Sequence, residues 1–171
     1  MFSIKKIQTG ICLANYTTFK IGGRAKYFFI AISMDEAIDA IKWALGNNEK
    51  IFILGGGSNV LFSGGEFNGL VIKMNFGSDI LIKENKEKSA VLSAGAGCQL
   101  SKLLEFLKYH SLTGLEWAAG IPGTLGGAIR GNAEAFGECM GDLIKSADVL
   151  DISKNFKNIK LISLSKKKMR I

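Results

Sequence analysis

Glycine decides what this chain can fold into. Of 171 residues, 21 are glycine and one is proline, where average usage gives about 12 and about 8 to 9. The surplus is clustered. Glycine loses more conformational freedom on folding than any other residue, so a cluster marks backbone that turns tightly or closely approaches something else. One cluster, Gly55-Gly56-Gly57-Ser58-Asn59, directly follows the apolar run 51–54. A second, Gly120-Ile121-Pro122-Gly123-Thr124-Leu125-Gly126-Gly127, holds the sole proline and precedes Gly131-Asn132. The third is Ala94-Gly95-Ala96-Gly97.

Each cluster admits two readings. Successive backbone N–H groups across Gly55 to Asn59 can converge on an anion, with Ser58 and Asn59 adding short side-chain donors. Placement at a strand end favours this, because open α/β sheets collect ligands there; the alternative is a plain tight turn. In the second cluster Pro122 fixes one φ angle, as a loop of defined shape requires. Thr124 and Asn132 can hydrogen-bond a ligand there, while the glycines leave room for a flat ring; the alternative is a cap over the core. The third cluster reads as close packing of a helix on a strand, with an anion at the helix start as its alternative.

Other chemistries are excluded by what is missing. No Gly-Lys pair exists for a P-loop, neither cluster reads Gly-x-Gly-x-x-Gly, and no Gly-x-Ser-x-Gly elbow occurs. Cys12, Cys98 and Cys139 are an odd number without a Cys-x-x-Cys pair, and His110 is the single histidine. Disulfide frameworks, zinc sites and histidine-based triads are therefore not expected. The net charge of +7 is a property of the end of the chain: residues 145–171 hold eight Lys/Arg and two Asp, chiefly Lys166, Lys167, Lys168 and Arg170. The remainder is nearly balanced, so a nucleic-acid surface is not expected. The longest obvious apolar run, 27–32, is far short of the roughly 18 residues of a membrane span, and residues 1–10 lack a secretory signal's apolar core. A cytoplasmic location is expected.

Short runs rich in Ile, Val and Phe predict strands over 27–32, 51–54, 70–74, 80–83, 90–93, 147–151 and 159–162. Ser33 with Glu36 three residues on predicts a capped helix start, with Ile38, Ile41 and Leu45 on one face and Gly46 as a left-handed stop. Leu100, Leu103, Leu104 and Leu107 predict a second helix, and a third is expected over about 133–144. The fold class is α+β, in two lobes of residues 1–75 and 76–171.

Taken together, three segments resemble the signatures of the UDP-N-acetylenolpyruvoylglucosamine reductase (MurB) family. They are Asn15-Tyr16-Thr17-Thr18-Phe19-Lys20-Ile21-Gly22-Gly23, then Ile53-Leu54-Gly55-Gly56-Gly57-Ser58-Asn59-Val60-Leu61. The third is Gly114-Leu115-Glu116-Trp117 followed by Gly120-Ile121-Pro122-Gly123-Thr124-Leu125-Gly126-Gly127-Ala128. The resemblance implies an FAD-binding domain of the vanillyl-alcohol-oxidase type, with FAD held non-covalently between its lobes. It implies flavin contacts from Gly55, Gly56, Gly57, Ser58 and Asn59, and from Ile121, Pro122, Gly123, Thr124, Gly126 and Gly127, with Asn132 close by. The family passes a hydride from NADPH to FAD and on to UDP-N-acetylglucosamine enolpyruvate, yielding a peptidoglycan precursor.

The departures are specific. The family continues into a Tyr-Arg-x-Ser stretch and a substrate-binding domain, whereas this sequence ends at Ile171. No catalytic residue is therefore assigned, and the chain is expected to bind FAD without completing the reaction alone. Glu134 stands where the family has glycine, and Phe136 where it has tyrosine. An FAD-binding subunit of another flavin oxidoreductase, or an interaction domain that has lost FAD, are the alternative readings.

Overall fold

The computed structural model describes residues 6–87, 89–152 and 160–165. The basic run at Lys166 to Arg170, and residue 159 of the last expected strand, lie outside the described residues. Two compact units are formed, Met1–Gly127 and Ala128–Ile171.

The first unit is built on a four-stranded sheet. Its strands are β1 (Gln8–Cys12), β2 (Arg24–Ala31), β3 (Lys50–Leu54) and β4 (Phe67–Met74), in the spatial order β1-β2-β4-β3. β1 runs antiparallel to β2, while β4 is parallel to both β2 and β3. Parallel neighbours need crossovers. Helix α1 (Met34–Gly46) carries the chain from β2 to β3, and residues 55–66, the first glycine cluster among them, carry it from β3 to β4.

Burial explains the sequence of the inner strands. Leu70, Val71 and Ile72 are consecutive and all fully buried, as expected of a parallel strand covered on both faces. The Tyr27 ring meets Trp43 of α1 edge-on at 5.1 Å. By alternation Phe28 then faces the other way, where it packs with Leu13, Leu54, Phe62 and Val71. α1 buries Ala37, Ala40, Ile41 and Ala44, whereas Ile38 and Leu45 of the expected face are half-buried. Alanines on the contact line let a helix lie close to its sheet. Ser33 Oγ accepts the Glu36 N–H at 3.2 Å, and the Glu36 carboxylate accepts the Ile32 N–H at 3.1 Å. The helix start is thus capped from both directions.

Beyond the sheet, β5 (Ile80–Lys86) and β6 (Ser89–Ala94) form an antiparallel hairpin, followed by α2 (Leu100–Tyr109). α2 buries Leu100, Leu103 and Leu107. The short α3 (Leu125–Arg130) runs across the boundary between the units. The second unit then holds β7 (Glu134–Ala135), β8 (Glu138–Cys139), α4 (Met140–Leu143) and the antiparallel pair β9 (Ser146–Asp151) and β10 (Lys160–Ser165).

One strand is added and two expectations are corrected. β1 was not expected, because Gln8-Thr9-Gly10 interrupts any apolar pattern. Gly46 is not the left-handed stop of α1; Asn48 takes that conformation instead, at φ 55°, as asparagine tolerates. The helix expected over 133–144 is a two-residue-per-strand hairpin followed by a single helical turn. Phe136 (φ 55°) and Gly137 (φ 83°) hold successive positive φ angles, which fits a hairpin turn and no helix. Asn132 fixes the hairpin base: its Oδ1 accepts the Gly141 N–H at 2.8 Å.

Candidate cofactor site

The parallel register sets Leu54 beside Lys73, and the chain leaves the sheet at Gly55. The first glycine loop is seated on residues 16–18. Thr18 donates its N–H to the Gly57 carbonyl at 3.0 Å. Gly57 has φ 75°, and a Cβ there would overlap the Tyr16 carbonyl. No other residue fits that position.

The two large glycine clusters lie against each other. A Cβ on Gly56 would stand 2.8 Å from Gly123 Cα, and one on Gly55 2.8 Å from Thr124 Oγ1. Gly123 (φ 122°) leaves a Cβ only 2.7 Å from Ser58 Oγ. Ser58 Oγ donates to the Pro122 carbonyl at 2.9 Å, clasping one loop to the other. The hydroxyl proton expected for a ligand is therefore committed, and Ser58 keeps only acceptor capacity toward one. Asn59 is exposed and has no side-chain partner among the described residues.

The third cluster braces the second, in line with its packing reading. Gly126 donates its N–H to the Ala96 carbonyl at 2.8 Å, and Leu125 to Cys98 at 2.7 Å. In return Leu100 donates to the Gly123 carbonyl at 3.0 Å. Thr124 is buried, 4% exposed, and its Oγ1 accepts the Gly127 N–H at 3.3 Å. It thereby caps α3. Ile121 donates its N–H to the Ala118 carbonyl at 3.0 Å, and Pro122 is exposed.

What remains unspent is backbone. The N–H groups of Gly56, Gly57, Ser58 and Asn59 in the first loop, and of Gly123 and Thr124 in the second, have no acceptor among the described residues. Six free donors in two touching loops are the groups a bound anion requires. Lys73 adds a cation that inspection of the sequence missed: its Nζ donates to the Gly55 carbonyl. Burial pushes its ammonium pKa below the ordinary 10.5. Its signal was a single charged residue in the otherwise apolar 70–74 run. Gly55 to Asn59 and Ile121 to Gly127 are thus brought together within the first unit. Asn132 belongs to the second, where its carbonyl oxygen holds the hairpin.

Other reactive groups point elsewhere. Burial raises the Cys98 thiol pKa, which makes it a poor nucleophile. Among the described residues no cluster of His, Cys, Asp and Glu could hold a metal ion. No helix there is long and apolar enough to cross a membrane.

The FAD binding domain family matches residues 25–154, and the chain belongs to that family. It is similar to the UDP-N-acetylenolpyruvoylglucosamine reductase of Lachnoclostridium phytofermentans, 35% identical over 169 residues, covering 99% of this chain and 53% of that one. Among solved structures it is similar to the reductase (MurB) from Thermus caldophilus, with a TM-score of 0.69 and 25% identity over 92% of this chain and 52% of that chain. A solvent-stable cholesterol oxidase shares the fold alone, with a TM-score of 0.63 at 18% identity over 94% of this chain and 32% of that chain. The architecture is therefore that of the α+β FAD-binding domains of the vanillyl-alcohol-oxidase type. The chain spans about half the length of the curated reductases it matches and corresponds to their FAD-binding portion.

Proposed function

We propose that this chain holds FAD non-covalently through the two glycine loops, as the flavin-carrying portion of an NADPH-dependent UDP-N-acetylenolpyruvoylglucosamine reductase of peptidoglycan synthesis. The observation that carries the reading is the set of six free backbone donors in two loops clasped by Ser58 and Pro122. A diphosphate needs several donors at once, and backbone N–H groups on a braced loop supply them without side-chain reorganisation. Gly55, Gly56, Gly57, Ser58, Asn59, Ile121, Pro122, Gly123, Thr124, Gly126 and Gly127 would form the cradle, and Asn132 is the one further contact that the family resemblance implies. The flavin, when bound, supplies the electron-transfer chemistry that none of these side chains can.

The reading divides the chain into two lobes, 1–75 and 76–171, at the turn from β4 into β5; Gly77 in that turn takes φ 74°. Reduction of the enolpyruvyl substrate, a UDP-sugar, calls on the portion of the reductases beyond this chain's span. The cytoplasm is where such a nucleotide-sugar substrate would be met. Glu134 is exposed, so its carboxylate can turn into solvent and need not oppose a bound diphosphate.

The test is direct. Chain incubated with FAD and passed through a desalting column should retain flavin with a visible spectrum displaced from that of free FAD. Colourless protein, together with no quenching of flavin fluorescence on titration, would sink the reading. The reduction step is tested by adding NADPH and the UDP-sugar to the retained complex, with and without the remaining portion of a related reductase.

A further inference from the structure

Lys73 is an unusual residue for its position. It sits next to last in β4, directly across from Leu54 of β3. From there its side chain reaches forward to the carbonyl of Gly55, the first residue of the glycine loop. The residue is half-buried. Among the described residues no carboxylate lies within ion-pair distance of it; the ion pairs there are Lys6–Glu36, Lys26–Glu49 and Lys86–Glu84.

A half-desolvated ammonium is costly unless it is paired. One neutral carbonyl satisfies one of its three N–H bonds and none of its charge. Burial has already drawn its pKa down, the response of a cation that lacks a counter-charge. The loop it fastens opens, one residue later, into the run of free N–H groups from Gly56 to Asn59. Those amides offer directional hydrogen bonds but only partial charges. An anion bound by them would bring what Lys73 lacks.

Building on the FAD reading above, we propose that Lys73 is a positioning residue and counter-charge for the flavin nucleotide's diphosphate: its stem spans from β4, its ammonium holds the Gly55 carbonyl, and its charge offsets the anion gathered by the loop. The assignment accounts for a charged residue directly after the buried run Gly69 to Ile72 of β4. It also gives the loop a further tether, besides Thr18 at Gly57 and the clasp between Ser58 and Pro122.

The test is the FAD affinity of the purified chain, by flavin fluorescence, at low salt and in 1 M KCl. It compares wild type with Lys73→Arg, Lys73→Gln and Lys73→Met. Losing a charge-assisted contact weakens binding roughly 10- to 100-fold. At low salt Lys73→Gln and Lys73→Met should bind FAD that much more weakly, while Lys73→Arg stays within severalfold of wild type. The gap should narrow in 1 M KCl, because salt screens charge. Gln retains a neutral donor, so its loss isolates charge from loop fastening. A Gln variant within twofold of wild type, or a gap unchanged by salt, overturns the proposal. Should the Met variant not fold, the Gln and Arg variants and the salt response of wild type still decide. Wild type that binds no FAD refutes the cofactor reading and this inference together; wild type that binds, with an unaffected Gln variant, refutes this inference alone.

Discussion

Gly57, Gly64 and Gly120 separate three reasons for being glycine. At Gly57 a side chain meets both a positive φ of 75° and the Tyr16 carbonyl. At Gly120 it meets only a positive φ of 87°, with open space around it. At Gly64 nothing stands within 4 Å and the backbone is outside the left-handed region. Gly64→Ala should leave the melting temperature unchanged or raise it slightly, by restricting the unfolded chain. Gly120→Ala should cost roughly 1–2 kcal/mol from the left-handed conformation alone. Gly57→Ala should cost more than about 3 kcal/mol, since a backbone overlap forces the first loop off its seat. Thermal denaturation of the three variants checks the order, and a Gly57→Ala protein as stable as Gly64→Ala would contradict it. That these glycines mattered was legible in the sequence, because clustering is a local property. That Gly55, Gly56 and Gly123 serve each other was not, because residues some 65 positions apart meet only once the fold exists. Lys73 was hidden for the same reason: only the pairing of β4 with β3 makes it a neighbour of Gly55.

The secondary-structure elements show where local sequence suffices. The start of α1 was readable because its cap is made by residues 32–36 and little else. The hairpin of β7 and β8 was not: Phe136 is a poor left-handed residue, 93% exposed, and only the bonds that Gly141 and Met140 donate to Asn132 and Ala133 reveal the turn. The cap carries a pH signature. The Glu36 carboxyl titrates below its ordinary 4.5, first because Lys6 Nζ donates to it at 2.7 Å and next because of the Ile32 N–H. A folded pKa lowered in this way contributes stability that is present above the unfolded value and is lost as pH falls through the folded one. Glu36→Gln keeps an acceptor for Ile32 and removes the charge. Its melting temperature should fall below wild type at pH 7, and the two should converge as pH falls through the lowered titration range of the folded carboxyl. A gap that persists unchanged at pH 3 would show that the charge contributes nothing. Ser33→Ala removes the opposite half of the cap and should cost about 1 kcal/mol, with no such pH dependence.

Two compact units in one chain raise the question of which one a cofactor would stabilise, and the distribution of tryptophan answers it. The chain has two, Trp43 on α1 and Trp117 beside the second glycine loop, and both fall in Met1–Gly127. Tryptophan fluorescence therefore reports the first unit alone. That unit also contains every expected flavin contact except Asn132. A ligand that binds only the folded form stabilises it by about 2.7 kcal/mol when present at 100 times its dissociation constant. For a unit of this size that is a rise of roughly 10 °C in the tryptophan-detected melting temperature. Riboflavin at the same concentration lacks the diphosphate that the six free amides and Lys73 are suited to hold, so it should produce a far smaller shift. Equal shifts from FAD and riboflavin would place the recognition on the ring and take the diphosphate cradle out of the account.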